Sequence, residues 1–412
     1  MPNQFNSPEG DLENYFVTES FLIDQWVGDT LWTWGYNDFY GSLLGINNTQ
    51  SPICTPVTTS AGGANWKQVN IGYLHTSAIK TDGTLWGWGG GDYGALGINV
   101  AGGLGKICTP VTTFAGGTNW KQVSGGSNFT AAIKTDGTLW MWGYNANGQL
   151  GVNDTNTRCT PVTTFAGGTN WKQVSCGRQH VATIKTDGTL WVWGMNYYGQ
   201  LGVNSASIYL SVNNDKPTPV TTFAGGTNWK QVDCGGNHTT AIKTDGTLWV
   251  WGGNSSQQLG INAPGNRCTP VTTFAGGTNW KQVSGGLQGG GPDGNTAAIK
   301  TDGTLWMWGN NGDGQLGIND TNRRCTPVTT FAGGTNWKQV DIAGNYTAAI
   351  KTDGTLWTWG YNGIGQLGTN DTITKSTPVT TFAGGTNWKQ VSARYNQIAA
   401  VTSGTDPTYF IS

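Results

Sequence analysis

Residues 108–143 read CTPVTTFAGGTNWKQVSGGSNFTAAIKTDGTLWMWG. Four short runs in this stretch, TPVTTF, NWKQV, TAAIK and TLWMWG, are rich in β-branched or aromatic residues and read as strands. Thr-Asp-Gly between TAAIK and TLW is a tight hairpin signal, because Asp and Gly tolerate positive φ. TLWMWG alternates with period 2, so both of its Trp residues lie on one strand face. FAGG, and the GQLGxN that follows WG, place Gly where a turn or a close backbone approach excludes a Cβ. No segment carries a 3.6-residue apolar period flanked by caps. The stretch is one unit of four strands.

The unit recurs along the chain, which settles the architecture. NWKQV occurs seven times, at Trp66, Trp120, Trp171, Trp229, Trp280, Trp337 and Trp388. TLWxWG also occurs seven times, its first Trp being Trp32, Trp86, Trp140, Trp191, Trp249, Trp306 and Trp357. Successive copies are 51 to 58 residues apart, close to the roughly 50-residue period of some propeller blades. Six hairpins of the AIKTDGTLW type lie inside the sequence. The seventh is split, its second strand at residues 30–35 and its first at residues 398–403. An open array would leave two half-units with bare edges, which proteins avoid. The expected fold is all-β, a seven-bladed β-propeller over residues 29–404 closed by pairing of the N- and C-terminal strands. Residues 1–28 form an arm outside the repeat and 405–412 a short tail.

Composition agrees with this reading. The chain has 412 residues, with 66 Gly and 22 Trp. Three Trp per unit account for all but Trp26. An aromatic-rich chain with 11% charged residues is not disordered, and 14 Pro without a three-residue Gly period exclude collagen. A net charge of −1 argues against a nucleic-acid partner held by bulk electrostatics. No apolar run reaches the roughly 18 residues of a membrane span. The opening MPNQFNSPEGDLENYF lacks the basic and apolar parts of a secretion signal, pointing to synthesis in the cytoplasm.

Chemistry has little to work with. His75, His180 and His238 share one repeat position, filled elsewhere by Phe129, Asn295, Tyr346 and Gln397; they read as caps of blade turns rather than metal ligands. Cys54, Cys108, Cys159, Cys268 and Cys325 share a second position, and Cys176 and Cys234 a third near the channel. Equivalent atoms in different blades are too far apart for disulfides. Asp82, Asp136, Asp187, Asp245, Asp302 and Asp353 are hairpin residues before they are acids. No nucleophile motif, phosphate-binding loop or cofactor signature is present, so neither enzyme, metal nor cofactor is expected.

GQLGxN after WG, as at residues 148–153, and Gly-x-x-His-Thr at residues 72–76 and 235–239 resemble the repeats of the regulator of chromosome condensation family. The resemblance covers residues 29 to about 404. It implies a seven-bladed propeller, in agreement with the closure argument. It also implies functions as different as guanine-nucleotide exchange, chromatin binding and β-lactamase inhibition, with many phage and bacterial members.

Function is sought where the repeat breaks. Residues 205–216 (SASIYLSVNNDK) are an insertion exposing Ile208, Tyr209 and Leu210; the loop at 284–295, with Leu287 and Gln288, is six residues longer than its counterparts; residues 99–106 are lengthened. The arm carries five acidic residues, no basic one, and ends in FLIDQWV, where Phe21, Leu22, Ile23 and Trp26 are apolar enough to pack on a blade or a partner. The leading expectation is a non-enzymatic structural or attachment protein of a phage-like particle. The arm would join it to other proteins of the assembly, and the propeller would meet a host-surface protein or glycan, placing the protein in a virion. The alternative is a free protein-binding module or inhibitor that uses one propeller face.

Overall fold

The computed structural model describes residues 28–37, 43–48, 50–100, 106–205, 214–286 and 294–404. These form seven four-stranded antiparallel sheets arranged as propeller blades. Blades 1 to 6 are continuous, at residues 66–112, 120–163, 171–221, 229–272, 280–329 and 337–380. Blade 7 is composite: Trp388–Arg394 and Gln397–Thr402 supply its inner half, Thr30–Gly35 and Ile53–Thr58 its outer half. Six registered pairs from Thr30↔Thr402 to Gly35↔Gln397 seal the ring. The expected closure is present.

In each blade the WKQV strand is innermost, facing the axis, and the TPVT strand is outermost. The three Trp of a unit form the blade core. Trp66 meets the rings of Trp86 and Trp88 edge-on, and all seven triads repeat this with centroids 6.0–6.4 Å apart. Each such contact is worth about 0.5–1.5 kcal/mol beyond area burial. The cores lie between blades: Trp66, Val69 and Trp88 of blade 1 pack with Leu31, Ala399 and Val401 of blade 7.

The GQLG turn latches one blade to the next. Gln149 offers its carbonyl to Trp193 Nε1–H at 2.9 Å, and the second Trp of every blade donates in the same way, at 2.8–3.0 Å. Gly151, with φ +65°, lies against that indole, and a Cβ there would sit 2.8 Å from Trp193 Nε1. The glycine is required by the neighbouring tryptophan.

Candidate interaction faces and the axial channel

The innermost strands bring two polar tiers to the axis. In the upper one, Gln68 Nε2 donates to the Val123 carbonyl of the next blade, and Gln68 Oε1 accepts from Val123 N–H. Gln122, Gln173, Gln231, Gln282, Gln339 and Gln390 do the same, the last returning to Val69. The fourteen bonds, 2.9–3.2 Å long, form a closed ring. Below it, Asn70, Ser124, Ser175, Asp233, Ser284, Asp341 and Ser392 each accept a backbone N–H from the next blade. A cavity of about 150 Å³ on the axis is lined by members of both tiers.

Arg394 lies two residues beyond Ser392 of the lower tier, on the innermost strand of blade 7. It stands where the other blades have Gly72, Gly126, Gly177, Gly235, Gly286 and Ala343. Its guanidinium is buried and donates to the Cys176 carbonyl of blade 3, across the axis from its own blade. Asp233 and Asp341 share this environment. Burial pushes the Asp233 carboxyl up to about 6, with Arg394 pulling the other way; Asp341 is raised for the same reason and opposed by the same charge. Sequence reasoning missed Arg394, although a position-by-position comparison of the seven copies singles it out.

The histidines are ties between blades, not caps of turns. His75 Nε2 lies 2.8 Å from Thr130 Oγ1, His180 Nε2 3.0 Å from Thr239 Oγ1 and His238 Nε2 3.0 Å from Thr296 Oγ1. Each of these Thr hydroxyls donates its own hydrogen to a carbonyl, of Ala95, Gln200 and Gln258. The imidazole Nε2 is therefore the donor, and burial favours the neutral ring. Burial depresses the three to about 4, 3 and 4. Gly72 lies so close to the ring that a Cβ would come within 2.3 Å of His75 Cε1, which explains the Gly-x-x-His spacing. All seven cysteines are free, with Cys176 and Cys234 buried.

The two ends of the propeller differ in chemistry. Innermost strands begin, second strands end, third strands begin and outermost strands end at the same side, since Trp66 faces Lys80, Ile79 faces Leu85 and Trp86 faces Thr112. The FAGGTN and TDG turns thus share one end. In every blade the pairing slips between Trp and Gln, as between Trp66 and Gln68. The extra residue of each bulge is a lysine, thrown into solvent: Lys67, Lys121, Lys172, Lys230, Lys281, Lys338 and Lys389. Six more, Lys80 and its equivalents, stack over two Trp rings at 4.3–4.8 Å. With six hairpin Asp and Asp29, the end holds thirteen lysines against seven aspartates, a balance of +6. The hairpin Asp are tied down: Asp82 accepts from Thr84 N–H and Oγ1–H, which lowers its carboxyl below the ordinary range. Phe114, Phe165, Phe223, Phe274, Phe331 and Phe382 rise from the six FAGGTN turns, each 64–66% exposed.

At the opposite end, several charges are paired locally, Arg158 with Asp154, Arg324 with Asp320 and Lys375 with Asp371. The three lengthened loops depart from this end, because they join third to outermost strands or innermost to second strands. The residues singled out there, Ile208, Tyr209, Leu210, Leu287 and Gln288, lie outside the described residues, as do Phe21, Leu22, Ile23 and Trp26 of the arm. The lysine–phenylalanine end, composed entirely of repeat residues, was passed over because only departures from the repeat were searched.

A closed ring of seven four-stranded blades built on Trp triads defines a β-propeller class, and the RCC1-like domain matches residues 30–404. The chain belongs to this family. It is similar to the ultraviolet-B receptor UVR8 of Arabidopsis thaliana, 30% identical over 358 residues, covering 85% of this chain and 77% of UVR8. It is also similar to the mitochondrial RCC1 domain-containing protein RUG3 of the same plant, at 29% over 299 residues, 71% of this chain and 64% of RUG3. Yeast RCC1 (Prp20), solved bound to Kap60, shares the fold with a TM-score of 0.78 at 17% identity over 92% of this chain and 90% of that one.

These relatives overturn the expectation of a phage-like particle. They are plant and yeast proteins, a receptor and a mitochondrial protein among them. The phage-type assignment, the virion localisation and the partners within a phage assembly all fall with it.

Proposed function

We propose that the chain is a non-catalytic protein-binding module that holds its partner on the lysine–phenylalanine end. The observation that carries this reading is the set of six phenylalanines, each about two-thirds exposed, on the same end of the propeller as the bulge lysines. A solvated turn has no use for six such rings, whereas aromatic anchors within a polar surround are the usual composition of an interface. The basic balance selects an acidic partner and speeds encounter with it. A protein that shares this fold, yeast RCC1 (Prp20), is known bound to another protein, Kap60.

The test is affinity capture with the full chain in three forms: native, F114S/F223S/F331S, and one with residues 206–213 replaced by a short blade turn. Serine is compatible with the fold at this position, since Ser60 occupies it in blade 7. A partner held by this face should lose about tenfold or more in affinity per phenylalanine at the contact and survive the loop replacement. A partner that binds the serine variant normally and is lost with the loop would place function at the other end and refute the proposal.

A further inference from the structure

The six FAGGTN turns of the lysine end are one site repeated six times. Thr112, Phe114, Thr118 and Lys121 are exposed at the entry to blade 2, and the same four residue types are exposed at the entries to blades 3 to 7. Their backbone is held alike. Phe114 N–H donates to the Gly97 carbonyl, and all six phenylalanines repeat this bond at 2.8–2.9 Å. Trp120 N–H donates to the Gly83 carbonyl of the preceding hairpin, again in six copies, each 3.0 Å long. The first Gly of each of these turns keeps φ between 53° and 59°. With every phenylalanine 64–66% exposed, the equivalence extends to the side chain. The opposite end differs from blade to blade: the turn after the innermost strand reads GYL, GSN, GRQ and GGN at residues 72–74, 126–128, 177–179 and 235–237.

Equal sites have equal affinities. A partner with one short acidic segment would bind any of the six and leave five phenylalanines in water. A partner with several such segments on one chain turns each later contact into an intramolecular one, a gain of about 10²–10⁴ in avidity. Sheets packed face to face lie about 10 Å apart, so short linkers reach from one blade to the next. The ring of sites is broken once. At the entry to blade 1 Ser60 stands in place of phenylalanine, and in blade 7 Thr402 faces Trp388 where Lys80 faces Trp66 in blade 1. Six sites therefore form an open arc with two ends, which suits a linear ligand.

We infer that this face takes a repetitive acidic segment, several copies of a short acidic motif with an apolar residue, held by neighbouring blades at once. The apolar residue packs on a turn phenylalanine and the carboxylates meet the bulge lysine beside it. The inference rests on the reading of this face as the binding face and names the kind of partner it takes.

The probes are the peptide Glu-Glu-Leu-Glu-Glu as a single copy and as three copies joined by ten-residue Gly-Ser linkers, each about 17 Å in root-mean-square length. In calorimetry with the full chain, the three-copy peptide should bind about a hundredfold or more tighter than the single copy. Serine in place of the peptide leucines should abolish that gain; a gain that persists would reduce the contact to charge and overturn the inference. F114S/F165S/F223S and F274S/F331S/F382S each keep three neighbouring sites and should bind the three-copy peptide equally. F114S/F223S/F331S keeps only alternate sites and should bind it about tenfold more weakly. A three-copy peptide no more than about threefold tighter than one copy, the purely statistical factor, would overturn the inference, as would unequal binding by the two contiguous variants. The face itself stands in those cases if replacing all six phenylalanines by serine abolishes binding of both peptides. Binding that survives this sixfold variant, or none to the native chain, would overturn the reading of the face and the inference with it.

Discussion

At the scale of single residues, the position shared by the histidines follows a rule between blades. His75, His180 and His238 each face a threonine of the next blade, Phe129 faces Val181, and Tyr346 faces Ile398 at the equivalent place, its hydroxyl satisfied instead by the Arg394 and Gln397 carbonyls. Polar goes with polar and aromatic with aliphatic. The sequence made the seven alternatives visible, yet not their partners, because the pairing runs between copies rather than within one. The three imidazoles are held neutral, with values depressed from 6.5 to between about 3 and 4 by burial. Below pH 6.5 the unfolded chain binds protons that the folded one refuses. Their contribution is therefore complete above pH 6.5 and is lost as pH falls toward 4. H75F/T130V copies the Phe129–Val181 pair into blade 1 and should lessen this acid loss in urea titrations from pH 7.5 to 4. At pH 7.5, H75F alone should cost about 1–2 kcal/mol, and the double variant less than the sum of the singles.

At the scale of elements, strand content, hairpins and blade number were all legible, since each unit states them seven times. The lysine bulge was not. NWKQV reads as a plain strand, and the slip between Trp and Gln arises because Trp must enter the blade core while Gln turns to the axis. The residue between them has no inward place and goes to solvent. The seam of blade 7 was legible from the split hairpin alone. Its central strand Gln397–Thr402 pairs on both sides, Ala399 standing opposite Thr33 and Ser392. A399P removes a ladder donor from a central strand, and should cost about 3 kcal/mol or more. Limited proteolysis should then cut between blade 7 and its neighbours, while a proline in an exposed turn leaves the pattern unchanged.

At the scale of the whole molecule, the ring needs something that acts across it as well as around it. The glutamine tier links each blade only to the next. Arg394 joins blade 7 to blade 3, and its charge restrains two carboxyls that burial has already raised. Because Asp233 titrates near 6 rather than 3.8, its contribution is complete below about pH 3.8 and lost as pH rises through 6. R394M should push both carboxyls higher still. The variant should lose about 3 kcal/mol at pH 8 and much less at pH 5, as read from denaturant midpoints of variant and native chain at each pH. No local pattern announces such a strut: a lone arginine gains meaning only when seven equivalent positions converge on one axis. The seam has a consequence in time. Trp32 bonds to Thr402, 370 residues later. At roughly 5–20 residues per second, a ribosome takes on the order of 20 to 70 s to cover that distance. For that interval the outer half of blade 7 exists without its inner half, and its Trp32 and Trp34 have no Trp388 to pack on. The propeller is born open, and a nascent chain must keep those strand edges from other chains until Trp388–Arg394 and Gln397–Thr402 arrive.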